Sequence, residues 1–180
     1  MDSHHVNDIL ISSLEIETRV DELVHEIAKS TSTDNLVLVG VLRGSFMFIA
    51  DLVRDFNNHG LHPRIDFMTL ESYGAGTTSN GNVRVTKDIH VDVTGADVLI
   101  IDDILDSGRT LSFAVKHLNN KGAGSVKTCT LLDKPSQRVI DISSDFNGFS
   151  IEDIFVVGYG LDYDSYYREL PHIAKVTFTN

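Results

Sequence analysis

The sequence predicts an α/β domain with a mainly parallel central sheet that is flanked by helices. Two apolar runs, residues 36–42 and 98–101, are typical of strands buried on both faces, as in a parallel sheet. Each run is followed by a segment with helical spacing of apolar residues, at 46–58 and 111–118. Strands and helices therefore alternate along the chain, which is the pattern of an α/β fold.

Periodicity assigns the other elements of the first half. Residues 14–29 repeat apolar side chains with a helical period, so a helix should precede the first buried strand. The helix that follows this strand should have Ser45 as its N-cap and Gly60 past its end. Apolar and polar residues alternate over 64–70 and 82–90, which indicates two half-exposed strands.

The second half continues the pattern with shorter elements. Residues 126–132 form a strand-like run, and residues 155–157 indicate another strand. Residues 166–170 precede a proline and are read as a short helix that the proline ends. Residues 173–178 should form a closing strand. No repeat, low-complexity tract or linker interrupts the chain, so residues 1–180 are expected to form a single domain.

Composition limits the classes of function. The 180 residues carry a net charge of −11 without a basic run, which argues against nucleic acid as a partner. No apolar stretch approaches about 20 residues, so no membrane span or membrane partner is expected. The N-terminus lacks the pattern of a signal peptide, which favours a cytoplasmic protein with His4 and His5 in a solvated tail. The single Cys129 excludes an internal disulfide and a cysteine-based zinc site.

The most informative stretch, residues 98–110, joins a buried strand to a helix. Its two acids, Asp102 and Asp103, should lie at the carboxyl end of the strand, where open α/β sheets bind ligands. The following turn offers hydroxyls from Ser107 and Thr110 and free amides at a helix start, which together suit a phosphate. Acids beside a phosphate imply Mg²⁺, sugar hydroxyls or a proton to take. The alternative is that this stretch has only a structural role, as an acidic turn that ends the strand and caps the following helix.

Three further segments should lie near the same edge of the sheet. Arg43 and Gly44 follow the first buried strand and could contact an anion, although a surface charge is an equal alternative. Lys134 follows the strand at 126–132, where a solvated lysine is the ordinary alternative. Residues 71–82 contain three glycines and little apolar content, which suits either a hairpin loop or a lid over a ligand.

These segments, taken together, resemble a known family. The stretch 98–110 resembles the ribose-phosphate-binding signature of type I phosphoribosyltransferases, and a phosphate loop of the Walker A type is absent. With 41–48, 72–74, 131–135 and 155–163, it looks like the bacterial hypoxanthine (hypoxanthine-guanine) phosphoribosyltransferases, from about residue 36 to the end of the chain.

The resemblance implies a fold, a reaction and partners. The type I phosphoribosyltransferase fold has a small hood, here from the N-terminal and C-terminal segments, and a flexible lid loop, here about 71–82. The family makes IMP or GMP and pyrophosphate from hypoxanthine or guanine and phosphoribosyl pyrophosphate, with Mg²⁺, and it forms dimers and tetramers. We therefore expect a purine salvage enzyme that is a homodimer or homotetramer.

The resemblance also implies roles around the ribose phosphate. Asp106 would be the general base or proton holder at the purine N7. Asp102 and Asp103 would meet the ribose hydroxyls directly or through Mg²⁺, although Glu is more usual at the first position. The substrate-binding residues implied along this stretch are Asp102, Asp103, Ile104, Leu105, Asp106, Ser107, Gly108, Arg109 and Thr110.

Roles at pyrophosphate follow in the same way. The peptide between Leu42 and Arg43 would be cis, and the backbone at Arg43 and Gly44 would contact pyrophosphate; Lys is frequent where this chain has Arg43. Asp162 would place a second Mg²⁺ and Arg168 would face pyrophosphate. Ser72 and Tyr73 would be pressed onto the ligand by the lid.

The purine would be read by three residues. Phe155 would stack on the ring, and the backbone of Val156 would read its edge. Lys134 would donate to the C6 oxygen of hypoxanthine or guanine, so adenine, which carries an amine there, should be a very poor substrate. Two alternatives stay open from the sequence: a non-enzymatic nucleotide-sensing regulator on the same fold, and a receiver-like domain with a Mg²⁺-binding acidic pair.

Overall fold

The computed structural model describes residues 3–31, 34–73 and 82–179, which form two sheets with three flanking α-helices. The elements, in chain order, are β1 (Ser3–Ile11), α1 (Ser13–Ser30), β2 (Leu36–Leu42), α2 (Phe46–Phe56), β3 (Arg64–Tyr73), β4 (Asn82–Lys87), β5 (Asp97–Leu105), α3 (Arg109–Asn120), β6 (Ser125–Asp133), β7 (Phe146–Ser150), β8 (Val156–Val157) and β9 (Ile173–Thr179). Short 3₁₀ helices lie at Asn57–His59 and Pro135–Gln137.

The larger sheet has the strand order β4-β3-β2-β5-β6-β7, and all its neighbours are parallel except β3 and β4. The prediction of an α/β domain with a mainly parallel sheet is therefore confirmed. Both faces of β2 are covered, since Leu36 and Leu38 pack in one apolar cluster and Val37 and Val39 in another. Helices α1 and α2 contribute to the first cluster and α3 to the second, which explains why the central strands have no polar alternation.

The sheet register brings the predicted site segments to one edge. Parallel pairing aligns Gly40 of β2 with Ile101 of β5, so both strands end at the same side. Parallel pairing of β5 with β6 aligns Leu105 with Asp133, and the Lys134 amide donates to the Leu105 carbonyl at 2.9 Å. The turns after β2, β5 and β6 therefore lie side by side at the carboxyl ends of the strands.

The prediction that His4 and His5 belong to a solvated tail was wrong. Residues 3–11 do not form a solvated tail but strand β1, which pairs antiparallel with β9, and β9 pairs with β8 in a second sheet. We call this three-stranded sheet the hood. The polar composition of β1 suggested solvent, yet its backbone is satisfied by a strand that is distant in sequence, and Ile11 is buried in the core.

The short helix predicted at 166–170 is also absent. Tyr167 has a φ of 74°, in the left-handed region, which a right-handed helix cannot contain. The segment instead runs beside an earlier one, because the amides of Tyr159 and Gly160 donate to the carbonyls of Leu170 and Arg168. Pairing with a neighbouring segment decides this conformation, and periodicity over five residues could not reveal it.

The start of α2 differs in detail from the prediction. Ser45 is the N-cap residue of α2, as predicted, but it makes no capping bond; its buried hydroxyl donates to the Val41 carbonyl at 2.5 Å, back toward the end of β2. Gly60, with a φ of 69°, ends the 3₁₀ turn after α2 as expected. Within the described residues no helix is both long and apolar enough to cross a membrane.

Candidate active site

A cavity of about 340 Å³ opens at the carboxyl edge of the sheet, between the ends of β2 and β5 and the start of α3. It combines the turn after β2 with the turn after β5, as the strand order predicts. Its lining consists of Val41, Leu42, Arg43, Gly44, Leu70, Asp102, Asp103, Ile104, Leu105, Asp106, Ser107, Gly108, Thr110 and Leu111. The structure thus brings together ten of the predicted site residues.

The turn before α3 is shaped as an anion cradle. Gly108 stands at the N-cap with a φ of 82°, a left-handed conformation that favours glycine, and an added Cβ would lie 2.7 Å from Ile142. The Ser107 carbonyl accepts from the amides of Val139 and Ile140 at 3.0 Å, which fixes the turn from behind. The first amides of α3 have no partners within the helix, so they can donate to an anion in the cavity.

Two adjacent carboxyls form the other wall. Asp102 is buried and Asp103 is half-buried; the Asp103 amide donates to Oδ1 of Asp102 at 3.0 Å. Burial above all, and then the neighbouring Asp103 charge, raises the pKa of Asp102 well above its ordinary range. Burial also raises the pKa of Asp103, although Arg168 acts in the opposite direction. Within the described residues, the positive charge of Arg168 does not outweigh the effect of burial on this pair.

The turn after β2 approaches this pair closely. The peptide between Leu42 and Arg43 is cis, and Arg43 is exposed at the cavity. A Cβ added to Gly44 would overlap Oδ2 of Asp103 and lie 2.6 Å from its Cγ. A Cβ added to Gly160 would in turn overlap the Gly44 carbonyl oxygen. Glycine is therefore required at both positions by the contact of backbone with carboxylate and of backbone with backbone.

Asp162 and Arg168 form an ion pair behind this contact rather than in the cavity wall. Their side chains are joined at 2.6 Å, and Arg168 also donates to the Gly160 carbonyl at 2.6 Å. The second oxygen of Asp162 accepts from the Ser165 amide at 2.8 Å. Because Gly160 touches Gly44, the ion pair lies next to the pyrophosphate end that the sequence predicts.

The residues predicted to bind the purine follow β6 in the chain. Lys134 is buried, and its Nζ lies 3.8 Å from Oδ1 of Asp153, too far for a direct hydrogen bond. Phe155 is 44% exposed and meets Tyr163 and Phe178 edge to face, with ring centroids 5.7 and 5.9 Å away. Val156 is buried in the hood strand β8. None of these residues, nor Arg109, lines the cavity.

The predicted lid lies mostly outside the described residues. Residues 74–81 are among those not described, and only the backbone of Ser72 and Tyr73 is, at the end of β3. Leu70, earlier in β3, does line the cavity.

Sequence reasoning missed Arg138. Its guanidinium donates to the carbonyls of Leu105, at 3.1 Å, and Asp106, and it pairs with the Asp133 carboxylate. These bonds tie the end of β6 to the peptide carbonyls at the start of the cradle. A signal was present in the acid at the end of a buried strand with an arginine five residues later, but such a pair alone is too common to interpret.

Comparison with known proteins agrees with this geometry. The family model of the phosphoribosyl transferase domain matches residues 7–164. The chain therefore belongs to the phosphoribosyltransferase family.

The similar proteins narrow the group. A hypoxanthine phosphoribosyltransferase of Haemophilus influenzae is 49% identical over 98% of both chains. A hypoxanthine-guanine phosphoribosyltransferase of Bacillus subtilis is 45% identical over 97% of this chain and 95% of its own. A crystal structure of a hypoxanthine-guanine phosphoribosyltransferase from Bacillus anthracis superposes with a TM-score of 0.90 and 41% identity, over 96% of this chain and 100% of the other.

The chain is thus a transferase of the hypoxanthine (hypoxanthine-guanine) phosphoribosyltransferase group, with the type I phosphoribosyltransferase fold. These relatives give no support to a non-enzymatic regulator.

Proposed function

We propose that this protein transfers the 5-phosphoribosyl group of phosphoribosyl pyrophosphate to N9 of hypoxanthine, and of guanine, and releases pyrophosphate. The products are IMP and GMP, so the role is purine salvage. The observation that carries the proposal is the cavity that the amide-rich start of α3 shares with the acid pair Asp102–Asp103 and the Arg43–Gly44 turn. The names of the similar proteins support the same reaction.

The cradle before α3 would hold the 5′-phosphate. Amides of the turn and the hydroxyls of Ser107 and Thr110 would donate to its oxygens, and the positive end of α3 would favour its charge. Arg138, by fixing the carbonyls of Leu105 and Asp106, would keep those carbonyls from turning toward the phosphate. Asp106 is exposed at this end of the cavity, where its carboxylate would take the proton from the purine N7.

The acid pair fits a Mg²⁺ ion. One buried and one half-buried carboxyl, both with raised pKa values, supply the oxygen donors that a hard divalent cation favours. We propose that Asp102 and Asp103 hold Mg²⁺ together with the ribose hydroxyls, and that Asp162 helps to place a second ion. Bound there, Mg²⁺ would neutralise charge on the departing pyrophosphate. The backbone at Arg43 and Gly44, with Arg168 behind it, would orient pyrophosphate.

Lys134 and the hood would select the base. The Lys134 ammonium is buried and its nearest carboxylate is 3.8 Å away, so it can donate to a purine C6 oxygen. The exposed face of Phe155 offers a stacking surface, and its edge contacts with Tyr163 and Phe178 hold the ring in place. Adenine would leave both its amine and the ammonium without acceptors, which can reduce its use by about 10⁴-fold.

We also propose that the chain acts as one catalytic unit that assembles into a dimer or tetramer in the cytoplasm. Support for assembly comes from an apolar surface formed by side chains of α2, β2 and β3, where Phe46 and Ile65 are exposed. Phosphorylated substrates and products do not cross membranes freely, which favours a cytoplasmic site. Sedimentation at several concentrations would measure the assembly.

The reaction is tested by a panel of four purine bases with the same sugar donor. Pyrophosphate release is measured with hypoxanthine, guanine, xanthine and adenine, with and without Mg²⁺. We expect release with hypoxanthine in the presence of Mg²⁺ and almost none with adenine. Release that is equal with adenine, or absent with every base, would contradict the proposal.

A further inference from the structure

A second cluster of metal-ligating side chains lies between α1 and the end of α2. Asp21 of α1, Asp55 of α2 and His59 of the following 3₁₀ turn each place one donor atom within 4.8 Å of the other two. None of the three lines the active-site cavity. We propose that this cluster is a binding site for a transition-metal ion of the zinc class, which would link α1 to α2.

The sequence spacing places one Asp–His pair on α1 and another on the segment that faces it. Asp21 and His25 are four residues apart on α1, and Asp55 and His59 are four residues apart on the facing segment, so each pair shares one face. The imidazoles of His25 and His59 lie with their centroids 6.0 Å apart. Two Asp–His pairs therefore face each other across the contact of the two helices.

An independent observation points to a missing partner at this place. Oδ2 of Asp55 is buried and has no hydrogen-bond partner among the described residues, since Nδ1 of His59 lies 3.9 Å away and is 3.3 Å from the Asp55 carbonyl oxygen. A buried carboxylate oxygen without a partner is rare and unfavourable. The other oxygen of Asp55 accepts from the Asn58 side chain at 2.9 Å, and such hydrogen bonds orient the carboxylates that bind metals.

The donor set selects the class of ion. Two carboxylate oxygens and an imidazole nitrogen suit Zn²⁺, with His25 or water as the fourth ligand, whereas Mg²⁺ and Ca²⁺ prefer oxygen alone. Bond lengths of about 2.0 Å place tetrahedral ligands roughly 3.3 Å apart, so side-chain rotations of about an ångström would close the cluster. A cavity of about 850 Å³ beside Asp21 and Asp55 gives an ion access.

The test titrates Zn²⁺ into the full-length protein while excess Mg²⁺ occupies the active-site acids. We expect one zinc site, and a thermal midpoint that rises by roughly 5–10 °C when free Zn²⁺ exceeds its Kd a hundredfold. His59→Gln and Asp55→Asn should each weaken Zn²⁺ binding by at least about tenfold. Co²⁺ should give the intense visible absorption of a tetrahedral site in the wild type and lose it in His59→Gln.

Controls separate this site from others. His62→Gln, three residues after His59 and past the end of the turn, and the double variant His4→Gln/His5→Gln at the N-terminus should bind Zn²⁺ like the wild type. Asp21 is exposed, so Asp21→Asn removes a ligand without disturbing the core. This variant therefore tests the site even if Asp55→Asn or His59→Gln fails to fold. The proposal is overturned if Zn²⁺ does not bind, or if affinity is the same in Asp21→Asn and His59→Gln as in the wild type. The outcome is independent of the transferase reaction, which the base panel measures separately.

Discussion

The contact between Gly44 and Asp103 should be the most sensitive backbone feature of the active site. In Gly44→Ala the new Cβ would overlap the Asp103 carboxylate, at 2.6 Å from Cγ, where carbon atoms ordinarily stay about 3.5–4.0 Å apart. Either the carboxylate or the turn after β2 must therefore move by about 1 Å. A displacement of that size within a catalytic site can cost about 100-fold in rate.

We therefore expect kcat/KM for IMP formation to fall by at least about 100-fold in Gly44→Ala. The assay follows pyrophosphate release with saturating hypoxanthine and varied phosphoribosyl pyrophosphate. Gly60→Ala is the control, because nothing lies within 4 Å of its added Cβ although its φ of 69° is strained. That variant should lose a little stability, of the order of 1 kcal/mol, and keep its rate.

A double variant tests the cause of the loss. In Asp103→Ala the carboxylate is gone and only Cβ remains, 3.3 Å from the Cβ that Gly44→Ala adds. The stability cost of Gly44→Ala, measured by urea denaturation, should therefore largely disappear in the Asp103→Ala background. A rate for Gly44→Ala close to wild type, or a stability cost that is unchanged by Asp103→Ala, would refute the steric argument.

Three other variants address the acids and the base pocket. Asp106→Asn should slow turnover far more than it weakens IMP binding, as stopped-flow rates and calorimetry would show; unchanged turnover would exclude a proton-transfer role. Lys134→Gln should narrow the preference for hypoxanthine over adenine from about 10⁴-fold to about 100-fold, because an amide can donate or accept, and an unchanged ratio of kcat/KM values would contradict this. In Mg²⁺-free buffer, the free energy of unfolding of Asp102→Asn should increase relative to that of the wild type as pH rises above about 3.8. The sign follows because the folded state raises the pKa of Asp102 and keeps a proton that the unfolded chain has lost. The relative stability gained by the variant is about 1.4 kcal/mol for each unit by which the pKa is raised. Urea denaturation would contradict the prediction if the stabilities of variant and wild type changed in parallel with pH.

The sequence predicts much of the central sheet because its signals are local. The apolar runs of β2 and β5, the helical periods after them and the turn with Gly108 each carry their own evidence. The shared edge follows from parallel pairing, so Arg43 and Asp102 could be placed together without any coordinates.

The errors occur where distant segments decide the structure. Strand β1 exists because β9, more than 160 residues later, supplies its hydrogen bonds. The hydroxyl of Ser45 prefers the Val41 carbonyl to the helix start, and Arg138 bridges two strands that no local pattern connects. Side-chain bonds of this kind depend on tertiary geometry, which propensities do not contain.

The acid pair relates the stability of the fold to the reaction. Strand β5 is apolar because it is buried on both faces, and its last residues remain largely buried although two of them are acids. Among the described residues, the hydrogen bond from the Asp103 amide does not offset the burial of Asp102, so its charged form destabilises the folded protein. In the proposed function, a bound cation would offset that penalty. Under the proposed function, the acids that weaken the fold without ligands would be the ones that bind them, which would explain why carboxylates, and not apolar residues, end the central strand.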